Sequence, residues 1–96
     1  MLVLITYDVN TTSTQGVRRL AHVARICTNY GQRVQNSVFE CLVGSTQFAV
    51  IKSQLLAAID PQKDSVRYYV LGDKYKNRIE HVGVQKSFDL SETLII

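Results

Sequence analysis

The first apolar segment of the chain predicts a strand at the centre of a sheet. Residues Leu2 to Asp8 are apolar at nearly every position and rich in branched side chains, which is typical of a strand covered on both faces. Side chains alternate along a strand, so the two faces carry Leu2, Leu4 and Thr6 on one side and Val3, Ile5 and Tyr7 on the other. Both of these faces therefore need a cover.

A helical period follows and predicts a helix from about Gln15 to Asn29, with Gly31 as its C-terminal stop. Three- and four-residue spacing assigns its buried face to Val17, Leu20, Ala24 and Cys27. The opposite face is basic and polar, since it presents Arg18, His22, Arg25 and Asn29.

Arg19 falls inside the apolar arc of this helix, near Val23 and Ile26. A half-buried arginine needs a carboxylate or a phosphate as its partner. Asp8, which lies just before the helix, is the nearby candidate. Two interpretations stay open, a functional contact at Asp8 and a plain structural ion pair.

The segment from Gln32 to Leu42 predicts a hairpin of two short strands joined at residues 35–37, because Gly31 and Gly44 bound it and leave no room for a helix. A second helix follows, capped by Ser45 or Thr46 and reaching about Ile59. Its predicted apolar face comprises Phe48, Ile51, Leu55 and Ile59, and Pro61 prevents its continuation. Asp64 to Leu71 is the last predicted strand of this series.

The order of these elements predicts a ferredoxin-like α+β fold, βαββαβ, in which both helices cover one face of an antiparallel sheet. Ninety-six residues make one such domain, 1–96. A second copy of the chain is the simplest cover for the other face, giving a homodimer. Residues 84–96 are predicted to form a tail that packs on the partner subunit, with 93–96 as an extra C-terminal strand.

The positive charge of the chain is concentrated in one segment. The net charge is +3, yet residues 9–39 carry four arginines and no carboxylate. This asymmetry favours a face that binds a polyanion over one that is merely solvated. A second basic patch contains Lys74, Lys76 and Arg78.

The two cysteines, Cys27 and Cys41, lack the spacing and the histidine companions of a metal site. They are expected to be buried thiols in a reducing compartment. The apolar opening is too short for a membrane span and lacks the features of a signal peptide. A cytoplasmic protein without a membrane partner is therefore expected.

Asp8 is the one candidate for chemistry. The sequence has no glycine-rich phosphate loop, no closely spaced carboxylate pair and no local Ser/His/Asp signature. A single aspartate is a poor site for Mg²⁺, but a dimer supplies two, which together with water and a substrate phosphate could hold the metal. The alternative is that Asp8 only caps the loop at Asn10 and Thr11.

Several segments together resemble the small CRISPR-associated adaptation proteins of the Cas2 family, in a form similar to the type I-C branch. The resemblance covers nearly the whole chain. It is carried by residues 2–9, Arg18-Arg19-Leu20, residues 31–41, residues 64–69 and residues 80–83.

The resemblance implies a ferredoxin-like homodimer with a phosphodiesterase site that depends on Mg²⁺ or Mn²⁺ at Asp8, facing its dimer mate. By position it also implies that Tyr7, Arg19, Arg33 and Phe39 belong to the catalytic surroundings of Asp8. Val17 departs from the family, where many relatives have a basic residue. The implied biological role is spacer acquisition, in which the protein binds double-stranded DNA, with RNA as the other substrate, and bridges a larger integrase subunit.

Three functions therefore remain open. A nuclease would use paired Asp8 and a metal ion. A scaffold would bind duplex DNA through Arg18, Arg25, Lys74, Lys76 and Arg78 without needing Asp8. An RNA-binding module would stack bases on Phe39, Tyr68 and Tyr69.

Overall fold

Strand β1 (Leu2–Asp8) lies inside a four-stranded antiparallel sheet of order β2-β3-β1-β4 in the computed structural model, which describes residues 1–84. The other elements are α1 (Thr14–Tyr30), β2 (Gln32–Gln35), β3 (Val38–Leu42), α2 (Ser45–Ala58), β4 (Ser65–Gly72) and a 3-10 turn (Lys76–Arg78). This is the predicted ferredoxin-like α+β order, with β1 between β3 and β4. The predicted tail, apart from its first residue, lies outside the described residues.

The hydrophobic core lies between one face of the sheet and both helices. From β1 it takes Val3, Ile5 and Tyr7, and their neighbours Phe39 and Cys41 on β3 point to the same side. The helices contribute Val23, Ile26, Cys27, Ile51, Leu55 and Ala58. Both helices therefore cover a single face, as predicted. Neither helix of residues 1–84 is both long and apolar enough to cross a membrane.

The buried face of α1 is the predicted one except at its first position, since Cys27 is buried and Leu20 packs against the core. Val17 is 54% exposed, whereas Gly16, Val23, Ile26 and Cys27 are buried. The cause is the loop after β1, which folds back onto the first turn of the helix. A Cβ atom on Gly16 would collide with the backbone oxygen of Asn10, so this loop covers position 16 and leaves Val17 turned toward solvent.

Gly31 ends α1 as predicted, and its N–H donates to the carbonyl of Cys27 at 2.9 Å. Its backbone is extended, with φ −159°, so a left-handed conformation does not explain the glycine. The reason is close packing, since a Cβ atom here would collide with the carbonyl oxygen of Glu40 and with Sγ of Cys41.

Helix α2 begins without the predicted side-chain cap. Gly44 is the N-cap residue and no side chain accepts a hydrogen bond there, because Ser45 is already the first helical residue. The proposed cap at Ser45 or Thr46 is therefore wrong. The predicted apolar face is confirmed: Ile51 and Leu55 are buried, and Phe48 and Ile59 pack against the core. Strand β4 begins at Ser65, one residue later than predicted.

The two cysteine thiols are buried and free, as expected. Burial raises the pKa of Cys27 to about 12 and that of Cys41 to about 11. Because the thiolate is the reactive form, both thiols are inert parts of the core.

The second face of the sheet is covered by neither α1 nor α2. On this face Leu4 lies between Glu40 and Tyr69, and Thr6 lies between Val38 and Arg67. Leu4 and Thr6 are half-buried, and Tyr69 is 42% exposed. We call this surface the open face.

Candidate functional site

Asp8 lies at the end of β1, where its backbone is opposite Ser65 of β4. The alternation of the strand places its side chain on the open face, after Leu4 and Thr6. The side chain is exposed. Among residues 1–84, its carboxylate has no hydrogen-bond or ion-pair partner, so both oxygens are available for a ligand.

The loop after Asp8 is held by other residues. The Asn10 side chain accepts hydrogen bonds from the backbone N–H and the hydroxyl of Thr12, at 3.0 and 2.6 Å. Ser13 caps α1 by accepting from the N–H of Gly16 at 3.1 Å. The alternative in which Asp8 caps this loop is therefore wrong, because the side chains of Asn10 and Ser13 accept the hydrogen bonds that hold it.

Arg19 is half-buried, as predicted, but its partner is Asp64 and not Asp8. The Nε atom of Arg19 donates to Oδ2 of Asp64 at 2.7 Å, and Nη2 donates to Oδ1 at 3.3 Å. The Asp64 side chain is fully buried and that of Arg19 is 17% exposed. The expectation of Asp8 failed because Asp8 points to the open face, while Arg19 lies on the helix side of the sheet.

The carboxylate of Asp64 also accepts two backbone N–H groups, from Asn10 at 3.0 Å and from Asp60 at 2.8 Å. The hydrogen bond from Arg19, helped by these two, lowers the pKa of Asp64 to about 2 although burial opposes the shift. The same hydrogen bond raises the pKa of Arg19. Asp64 thus carries a stabilised negative charge that joins α1, the loop after β1 and the loop after α2.

Tyr7, Arg33 and Phe39 form a second cluster. The rings of Tyr7 and Phe39 stack with centroids 6.1 Å apart, and the Arg33 guanidinium lies 5.1 Å from the centre of the Phe39 ring. Burial raises the pKa of Tyr7, whose hydroxyl lies 3.5 Å from the carbonyl oxygen of Asn36. The structure therefore brings these three predicted residues together, but on the helix side of the sheet, opposite the Asp8 carboxylate.

The aromatic residues proposed for base stacking are largely used in packing. Phe39 is 1% exposed, and Tyr68 packs edge-on against Phe48 with ring centroids 5.5 Å apart. Tyr69 is more exposed and lies on the open face beside Arg67, whose Nη1 donates to the Tyr69 hydroxyl at 3.1 Å. A stacking platform of Phe39, Tyr68 and Tyr69 is thus not formed.

The basic stripe of α1 is exposed along its length, as predicted: Arg18, His22, Arg25 and Asn29 all face solvent. The second basic patch follows β4, and Lys74, Lys76 and Arg78 are also exposed. Since β4 ends beside Leu2 and begins beside Asp8, this patch lies at the other end of the sheet, about 20 Å from Asp8 along the strand.

Within residues 1–84, Asp8 does not belong to a cluster of metal-ligating side chains. No three His, Cys, Asp or Glu side chains of residues 1–84 are grouped so that they could hold a metal ion. Mg²⁺ requires about six oxygen ligands. Asp8 would therefore serve Mg²⁺ or Mn²⁺ as one carboxylate ligand, with water and substrate oxygens as further ligands.

Asp64 is the residue that sequence reasoning missed. It was interpreted as the first residue of β4, because it directly precedes an alternating segment. The available signal was Arg19, which required a buried carboxylate. Spacing along the chain favoured Asp8, whereas the actual partner lies 45 residues further on.

Comparison with known proteins identifies one family. The family model described as "CRISPR associated protein Cas2" matches residues 1–79. The chain is 58% identical over 95 residues to a protein named CRISPR-associated endonuclease Cas2 from Halalkalibacterium halodurans, covering 99% of each chain. It is 52% identical over 96 residues to a protein named CRISPR-associated endoribonuclease Cas2 from Chlorobaculum tepidum, covering 100% of both.

A solved structure agrees with this result. The crystal structure of Streptococcus pyogenes Cas2 at pH 6.5 superposes with a TM-score of 0.76 and 53% sequence identity, over 86% of this chain and 100% of that chain. Sequence and fold thus point to the same family.

Proposed function

The chain belongs to the CRISPR-associated Cas2 family, and we propose that it acts in spacer acquisition as a homodimer that binds double-stranded DNA and hydrolyses phosphodiester bonds at paired Asp8 residues. Membership of this family supports a CRISPR-related nuclease function. The names of its relatives differ on the substrate, since one is called an endonuclease and another an endoribonuclease.

The observation that carries this proposal is the exposed, unpartnered carboxylate of Asp8 on the open face. A strand-end carboxylate with no structural partner contributes little to folding, which leaves it available for chemistry. The loop at Asn10 makes its hydrogen bonds to Asp64 and Thr12 without the Asp8 side chain.

The open face supports a dimer. It carries Leu4 and Tyr69 in the middle of the sheet, and neither helix packs there. In a two-fold dimer each subunit uses the same patch, so a residue near the axis meets its own copy. Packing of two open faces would bring the two Asp8 carboxylates to one interface, which would supply a second carboxylate ligand.

The chemistry is assigned to Asp8 and to solvent. A bound Mg²⁺ or Mn²⁺ would neutralise charge on the scissile phosphate and supply an activated water. The part of the protein is to hold the Asp8 carboxylate in position on a central strand. Arg18 and Arg25 would bind the phosphate backbone from α1, and Lys74, Lys76 and Arg78 would extend this contact.

An alternative is a non-catalytic scaffold that bridges integrase subunits on duplex DNA. The exposed basic residues on α1 and after β4 favour it, because two separate groups of positive side chains can contact the phosphate backbone of a duplex at more than one point. In that case the basic side chains carry the function and Asp8 is dispensable.

The decisive experiment is cleavage of linear duplex DNA and of single-stranded RNA of the same sequence, with Mg²⁺. It compares the purified protein with Asp8→Asn, and with Asp73→Asn as the control. Asp73 is an equally accessible carboxylate, 89% exposed, that pairs with the N-terminal amine at 3.1 Å. Each protein is first shown to be dimeric by light scattering.

We expect metal-dependent cleavage that is lost in Asp8→Asn and retained in Asp73→Asn. The preferred nucleic acid is then given by the faster substrate. Equal cleavage by all three proteins would point to a contaminating nuclease. That result, or no cleavage by any of them, would leave the scaffold as the function.

A further inference from the structure

We propose that Asp64 is a positioning residue for Asp8, and that Arg19 serves this site through Asp64 and not through contact with the substrate. The inference rests on the proposed function, because it concerns how the Asp8 carboxylate is oriented. Its evidence is the arrangement of hydrogen bonds around Asp64.

A closed ring of contacts joins Asp64 to Asp8. The chain passes from Asp8 through Val9 to Asn10, whose N–H donates to Asp64 at 3.0 Å. Asp64 is followed directly by Ser65, which pairs with Asp8 across the β1–β4 ladder. One buried carboxylate thus holds the segment after Asp8 and the strand beside it at the same time.

The remaining contacts make this ring rigid. Arg19 binds Asp64 through two nitrogens, a geometry that fixes the carboxylate plane. The N–H of Asp60 donates to Oδ2 at 2.8 Å. Gly16 lets the Asn10 backbone approach α1 closely. The direction in which β1 ends, and with it the direction of the Asp8 side chain, therefore depends on Asp64.

Arg19 is poorly placed to contact a phosphate at Asp8. Two of its nitrogens are used by Asp64, its side chain is 17% exposed, and it lies on the helix side of the sheet. Arg18, by contrast, is exposed at the neighbouring helical position. The two adjacent arginines should therefore have separate roles: Arg19 helps to position Asp8, and Arg18 binds phosphate.

Asp64→Asn is the variant that tests the first part. It preserves the shape of the side chain, but an amide has one acceptor oxygen and turns its NH₂ group toward a donor, so four N–H groups cannot all be satisfied. The matched control is Asp60→Asn in the same loop. Within residues 1–84, the Asp60 side chain accepts only the local N–H of Gln62, at 2.9 Å, and an asparagine can accept the same hydrogen bond.

The first readout is steady-state cleavage at 25 °C, with circular dichroism showing that each variant is folded at that temperature. We expect kcat to fall about tenfold or more in Asp64→Asn, with KM within about twofold, because a displaced ligand impairs reaction more than binding. Asp60→Asn should match the parent protein. A purely structural loss would instead reduce the amount of folded protein and leave the kcat of that fraction unchanged.

The second readout is the salt dependence of duplex binding, which tests Arg19. Loss of one phosphate contact reduces the magnitude of the negative slope of log K against log salt by about 0.9. Arg18→Gln should show that decrease and Arg19→Gln should not, while Arg19→Gln should lower kcat as Asp64→Asn does. The double variant Arg19→Gln/Asp64→Asn should have a kcat no lower than that of the less active single variant, because both substitutions break the same interaction. If Asp64→Asn does not fold, Arg19→Gln carries the kcat test.

A third readout separates this proposal from the proposed function. In nuclear magnetic resonance spectra, the carboxyl ¹³C signal of Asp8 should move in Asp64→Asn and stay in place in Asp60→Asn. If the parent protein shows no cleavage that depends on Asp8, the proposed function fails and this signal alone decides. An unmoved Asp8 signal, an unchanged kcat, or a slope that falls equally in Arg19→Gln and Arg18→Gln would overturn the inference.

Discussion

Arg19 and Asp64 form a buried, two-point ion pair across the molecule, with Nε 2.7 Å from Oδ2 and Nη2 3.3 Å from Oδ1. It ties α1 to the loop before β4, and through the Asn10 N–H it also ties the end of β1. Removing one partner of such a pair leaves a buried charge without compensation. Loss of either partner should therefore destabilise the fold at the place where the candidate site is built.

The stability of the protein should depend on pH through Asp64. Its folded pKa is about 2, below its ordinary value of 3.8, so the unfolded chain takes up a proton more readily than the native protein. The stability that Asp64 contributes is therefore present above about pH 4 and is lost as the pH falls toward about 2.

Urea unfolding from pH 5 to pH 3 measures this effect. The parent protein should be more stable than Asp64→Asn at pH 5, and the difference should shrink as the pH falls. A difference that stays constant over this range would show that the Asp64 carboxylate is not held ionised by its partners.

Gly31→Ala should destabilise the protein by about 1–3 kcal/mol, the usual cost of forcing a methyl group into a packed site. The new Cβ atom would collide with the carbonyl oxygen of Glu40 and with Sγ of Cys41. Denaturant unfolding measures the loss. Gly44→Ser is the control, because no atom lies within 4 Å of a Cβ atom at position 44; it should be neutral or, as a better N-cap, slightly stabilising. Equal effects at the two positions would contradict the packing argument.

Cys27 and Cys41 should resist thiol reagents in the native protein. Both are buried, and burial raises their pKa values to about 12 and 11, so at pH 8 almost no reactive thiolate is present. A chromogenic disulfide reagent should label neither thiol at pH 8, and both should react within minutes in guanidinium chloride. Rapid labelling of the folded protein would mean that this part of the core opens readily.

Binding to duplex DNA should weaken steeply with salt, by orders of magnitude between about 50 and 200 mM, because each neutralised phosphate releases counterions. The double variant Arg18→Gln/Arg25→Gln should lower the slope by nearly two. Lys52→Gln on α2 serves as the control, since Lys52 lies over the Phe48 ring at 4.5 Å and outside both basic patches. Binding that does not respond to salt would remove the basic stripe of α1 from the interface.

The sequence by itself determined the order of the elements, the position of β1 inside the sheet, the stop at Gly31 and the exposed basic stripe of α1. These features follow from local periodicity and from short-range backbone preferences, which the neighbouring residues settle. Family membership was also readable, because it is carried by contiguous segments such as residues 31–41.

Only the tertiary structure decided which distant residues meet. Arg19 plainly needed a carboxylate, but its choice between Asp8 and Asp64 depended on how β4 returns beside β1. The same pairing placed the Asp8 side chain on one face of the sheet and Tyr7 on the other. Val17 is exposed because the loop at Asn10 packs on the first turn of α1 at Gly16. Such contacts depend on the packing of segments far apart in the chain, which no local pattern encodes.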